Sequence, residues 1–184
     1  MALRLKTHWH KEGAERSLEE IAGAIAFNSW RIAMDRAISL HGENFIYRDD
    51  VQRLAVITEY LIFQAQIAER MSHGILDGEE RRSLITHLVI KMAAHLDENS
   101  NDLLGPGDYQ TPFIDRFNQR SAEYSELGFS DDGPSYPFLR HLGYEIQQLM
   151  NDGQENRWVI DQVMDKDAPE IYKQLKRVIR SLFL

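Results

Sequence analysis

Five stretches of the chain open with the same local signature, a short polar side chain followed three residues later by Glu or Gln, and each leads into apolar residues at helical spacing. They are Ser17/Glu20, Asp49/Gln52, Asp77/Glu80, Asp152/Glu155 and Asp167/Glu170. The spacing has a reciprocal cause. The first side chain accepts from a backbone N–H that the opening helical turn leaves unpaired, and the Glu or Gln reaches back to the cap's own N–H. Strand signals are thin, because β-branched runs such as 88–90 and 157–160 sit inside helical spacing and lack flanking hairpin turns. The pattern predicts an all-α fold.

The caps also act as rulers. Residues 1–16 carry mixed charge without an apolar stripe and read as an N-terminal arm, and residues 17–184 read as a single helical domain. Helix one is expected from Ser17 to about His41, helix two from Asp49 to about Leu76, and helix three from Asp77 to about Asn99. A Gly/Pro loop at 101–111 precedes helix four, which runs from Pro112 to near Gly128. A second loop at 130–135 precedes helix five at Pro137, followed by a short helix at 154–164 and a terminal one at 168–183. Tight connections such as Asp77/Gly78 make neighbours antiparallel, so the expected architecture is an up-and-down bundle of five to seven helices.

A chain of 184 residues that is 43% hydrophobic and 27% charged is long enough for one well-buried core. A formal charge of −8 argues against a nucleic-acid surface, which needs clustered Lys and Arg to displace counterions. The chain has no cysteine, which removes disulfides, thiolate nucleophiles and Cys-containing metal sites and is compatible with a reducing cytoplasm. No stretch approaches 18 uncharged apolar residues and Met1–Lys11 lacks a signal-peptide core, so a soluble, unprocessed, cytoplasmic protein without a membrane span is expected.

Two helices carry more apolar surface than one stripe requires. At roughly 100° per residue, Leu54, Leu61, Ile62 and Ala65 fall on one side of helix two, whereas Val56, Tyr60, Phe63 and Ile67 fall on the other. Helix one places Ile21, Ile25 and Ile32 on one side and Phe27, Trp30, Met34 and Ile38 on another. Such helices need burial on more than one side, supplied either by further helices of the chain or by a second copy. A homodimer using part of helix one or two is the expectation.

Candidate chemistry is sparse. Glu69 and His73 lie four apart on one face of helix two, and with His95 of helix three they supply donor types used by zinc, iron or manganese, or an acid/base pair. Distance from the turn separates His73 from His95 by roughly 20 Å at 1.5 Å per residue, so no metal or other cofactor is assigned. Arg120 shares a face with Phe113, Phe117 and Tyr124, and a buried guanidinium there needs Glu59, Glu69, Glu145 or an anionic ligand. The favoured alternative packs its stem and lets its charge reach water at a rim.

His8 and His10 flank Trp9 in the arm, as a weak metal pair or a docking segment. Asp102, Asp108, Asp131 and Asp132 lack EF-hand spacing. In the terminal helix, Ile171, Leu175, Val178, Ile179 and Leu182 form a stripe expected to dock on the core, with Lys173, Lys176, Arg177 and Arg180 largely elsewhere.

Phosphate loops, nucleophile elbows, dinucleotide fingerprints and HExxH motifs are absent. The surplus apolar surface therefore points to a self-associating interaction or regulatory module, with a protein partner as a further expectation. The alternative is a helical ligand-binding protein or enzyme with an interhelical His/Glu site. Its expected ligand-binding residues are Glu69, His73 and Arg120, with His95 joining them if packing allows, and metal dependence is left open.

Overall fold

A computed structural model of the chain describes residues 16–43, 45–150 and 158–183. The fold is all-α, with helices α1 (Leu18–Gly42), α2 (Asp50–Ser72), α3 (Gly78–Leu104), α4 (Gln110–Ser125), α5 (Tyr136–Met150), α6 (Val159–Gln162) and α7 (Ala168–Phe183). A two-residue hairpin, β1 (Phe129–Ser130) and β2 (Gly133–Pro134), joins α4 to α5 where a plain loop was expected. Helix α3 runs five residues past the expected Asn99, and α2 stops at Ser72, where the Ser72 carbonyl accepts from Ile75 and Leu76 to form the turn. His8, Trp9, His10 and the Asp152/Glu155 signature lie outside the described residues.

Three caps form. Ser17 and Glu20 make the reciprocal pair, with bonds of 3.2 and 2.9 Å, and Asp77 and Glu80 make another. At α2, Asp49 accepts from Gln52 N at 2.8 Å, but Gln52 reaches one residue further back, accepting from Arg48 N at 2.6 Å. Its amide also donates to the Leu149 carbonyl at 2.8 Å, tying the start of α2 to the end of α5.

The Asp167/Glu170 pair is not a cap, so the expected break there is corrected. A π segment, Val163–Asp167, carries the helix from α6 straight into α7. Pro169 lacks the N–H that an α-helical ladder needs from it, and the widened turn immediately before it is where such a defect is absorbed. The Asp167 carboxylate is instead fully buried, accepting from the Tyr60 hydroxyl at 2.7 Å through Oδ2. Its Oδ1 is buried without a hydrogen-bond partner among the described residues.

Side-chain pairs fix the directions. Lys91 meets Glu19 and His95 stacks on Trp30, so α1 and α3 run the same way. Gln52 meets Leu149 and Phe63 meets Phe138, so α2 and α5 are antiparallel. Arg120 with Glu59 and Tyr124 with Arg70 set α4 parallel to α2, and Asp167 with Tyr60 at one end and the shared cleft lining of Arg70 and Arg180 at the other set the C-terminal helix likewise. The long helices therefore alternate up and down in chain order.

Helix α2 lies at the centre, against α1, α3, α4, α5 and α7. Both of its apolar sides are inside: Leu61 and Ile62, and equally Val56, Tyr60, Phe63 and Ile67, have no exposed surface. The C-terminal helix supplies part of that cover through Ile171, Leu175 and Ile179. Helix α1 differs, because Phe27 remains 37% and Ile38 64% exposed. Among the described residues, no helix is long and apolar enough to cross a membrane.

Candidate functional site

The end of the bundle that collects the C-termini of α2 and α7 also carries the hairpin, and a cleft of about 600 Å³ opens between them. Its cationic lining is Arg70, Lys176 and Arg180, with the His73 imidazole beside them; its aromatic lining is Phe129, Tyr172 and Phe183, and Met71 and Ile75 add apolar surface. Asp131 is the acidic residue of the lining. The residues Tyr172, Lys176 and Arg180 recur every four positions, forming a polar-aromatic row beside the buried Ile171, Leu175 and Ile179 stripe.

Each wall has a physical anchor. The Arg70 guanidinium donates to the Tyr124 carbonyl at 2.8 Å, at the carbonyl end of α4 where Leu127 N also donates to it, and this contact holds the Arg70 charge at the cleft. Phe129 packs edge-on against Phe138 and Tyr172, with ring centroids 5.7 and 6.0 Å apart. Lys176 Nζ sits 5.1 Å above the Tyr172 ring, so the ammonium is steered by the aromatic face. Gly133 has φ +118, and a Cβ there would lie 2.6 Å from the Tyr172 ring. Only glycine permits both that backbone and that approach.

The expected site residues separate into two places. His73 lines the cleft and its Nε2 is 2.9 Å from Glu69 Oε1. Glu69 is further paired with Arg81 at 3.3 Å and Arg70 at 3.5 Å. Arg120 does not join them. It pairs with Glu59, ten residues before Glu69 on α2 and so roughly 15 Å away along the helix. His95 is also elsewhere, stacked on Trp30 with centroids 6.2 Å apart. Burial holds its pKa below the ordinary imidazole value.

The expectation that the Arg120 guanidinium reaches water is corrected, since the residue is only 3% exposed. Its Nε and Nη2 clasp Glu59 at 3.0 Å each, Nη1 donates to Glu123 at 2.8 Å, and Nη2 also meets Glu145. His141 Nε2 lies 2.9 Å from the same Glu123 oxygen, and its ring packs edge-on to Tyr124. Burial works against the charged guanidinium, but the bonds and charge of Glu59 outweigh it and raise its pKa. Burial also pushes Glu123 up, yet Arg120 prevails and Glu123 ends below the usual carboxylate range. At Glu145 burial wins and the pKa is raised, because Arg120 is shared while Glu59 and Glu123 add like charge.

This network joins α2, α4 and α5. Through Tyr124, Phe138 and Phe129 it continues as a ring-to-ring chain to Tyr172 in the cleft. The paired charges thus brace the wall on which the hairpin sits. Sequence reasoning singled out Lys176 and Arg180 only as cations off the α7 stripe and did not name Phe129 or Tyr172, although the four-residue row in α7 was a visible signal. It also missed Glu123 and His141, whose i,i+3 and i,i+4 relations to Arg120 and Glu145 were equally available.

No protein-family model, curated protein or solved structure matches the chain.

Proposed function

We propose that the protein binds a small amphipathic anion, an organic carboxylate, sulfonate or phosphate ester with an aromatic or alkyl body, in the cleft between α2, the hairpin and α7. One observation carries this reading: a chain of net charge −8 gathers Arg70, Lys176 and Arg180 around a 600 Å³ recess floored by aromatic rings. A recess that joins apolar walls to a few converging polar groups is the usual form of a small-molecule site. A ligand body burying on the order of 150 Å² contributes about 4 kcal/mol at about 25 cal/mol per Å², and the cations orient its charged end. Of the expected residues, His73 belongs to this site, with Glu69 orienting its ring; Arg120 acts at a distance by bracing the wall.

Anilinonaphthalene sulfonate tests the proposal, since it has the required charge and body. Saturable one-to-one binding is expected, weakened at least tenfold in Lys176→Glu/Arg180→Glu, with inorganic phosphate competing poorly because it has no body to bury. Equal affinity in that double variant would remove the cleft as the site.

A second reading, self-association, is supported by Phe27 and Ile38, which stay exposed on α1 after the bundle has closed. Sedimentation equilibrium should then show a dimer that Phe27→Ser/Ile38→Ser dissociates; a monomer throughout the micromolar range would end it. The lack of cysteine supports a cytoplasmic setting for either reading.

A further inference from the structure

We propose that Glu123, His141 and Glu145 form a divalent-cation site on the solvent side of the Arg120 network, separate from the cleft. One donor atom from each of the three lies within 4.8 Å of the others, two from consecutive turns of α5 and one from α4. The set is one imidazole nitrogen and two carboxylate oxygens, a mixture suited to Zn²⁺ and its neighbours, with metal–donor distances near about 2.1 Å. The imidazole is already aimed, because Nε2 points at Glu123 and the ring is held edge-on against Tyr124, centroids 4.8 Å apart.

Charge gives the second, independent argument. Glu59, Glu123 and Glu145 carry three negative charges against the single positive charge of Arg120, leaving an excess of two. Glu59 and Arg120 side chains are 4% exposed, Glu145 17% and Glu123 33%, so water screens this excess less than on an open surface. A divalent ion held by neutral His141 brings the sum to zero. Arg120 keeps its two-pronged grip on Glu59, and the ion replaces its contacts to Glu123 and Glu145. Three protein donors leave a coordination position for water.

The test is Zn²⁺ titration calorimetry on the full chain without a histidine tag, with Co²⁺ absorption as a ligand-field readout. One ion per chain is expected, with affinity reduced at least tenfold in His141→Gln and in Glu145→Gln. Glu145→Gln retains an acceptor for Arg120, so it reports on coordination even if His141→Gln folds poorly. The pairs His8→Ala/His10→Ala and Glu69→Gln/His73→Ala should bind as the parent does. Absence of stoichiometric uptake, affinity unchanged in Glu145→Gln, or affinity lost in either control pair would overturn the site.

Discussion

Arg120 shows how a single side chain can organise an interface between three helices. Its guanidinium meets the buried Glu59 and the partly exposed Glu123 and Glu145, so truncating it leaves the Glu59 carboxylate buried without its cation. Arg120→Met should cost about 3–5 kcal/mol in denaturant unfolding, the range for removing one partner of a buried pair; a loss within about 0.5 kcal/mol, typical of surface sites, would place the charge in water after all. Asp167 makes the opposite kind of statement. Burial lifts its pKa above the ordinary 3.8, against the opposing Tyr60 hydrogen bond and Arg36 charge. Between those two values the folded chain holds a proton that the unfolded chain has released, so this group's contribution to stability falls as pH rises through the window. Asp167→Asn abolishes that fall. Its stability relative to the parent should therefore improve as pH increases across the window, and a difference independent of pH would contradict the raised value.

At the scale of elements, the capping signatures located the starts of α1, α2 and α3 because each depends on neighbours three residues apart. Asp167/Glu170 carries the same local pattern, but Tyr60, more than a hundred positions earlier, captures the carboxylate and the helix runs through. Local spacing cannot reveal that competition. The doubled apolar face of α2 was equally legible, whereas what covers it depends on where α5 and α7 pack. Ile62→Ser should destabilise by about 2–5 kcal/mol, since it empties a fully buried position on the central helix. Phe27→Ser and Ile38→Ser should each stay within about 0.5 kcal/mol for the monomer. Thermal and urea unfolding of the three variants check the ordering, and a large loss for Ile38→Ser would show that its side of α1 is covered.

For the whole molecule, the bundle brings four chain segments to one end: the end of α2, the hairpin, and the last three turns of α7 beside the carbonyl end of α4. His73 was visible as a candidate because its spacing to Glu69 is local. Lys176 and Arg180 were visible only as cations off the apolar stripe, since their value as a site depends on Phe129 and Arg70 arriving from elsewhere in the chain. For Arg120, Glu59 and Glu145 stood among the partners it would need if buried, but the favoured reading put its guanidinium in water, because its depth was not legible until α4 was packed between α2 and α5. The central claim is that the cleft is where the protein meets its ligand. Amide chemical-shift mapping during titration with anilinonaphthalene sulfonate tests it most directly. Shifts should concentrate at Arg70–Ile75, Phe129–Asp131 and Tyr172–Phe183; shifts confined to the separate groove lined by Leu54, Leu104 and Phe113, or spread without focus, would contradict the account.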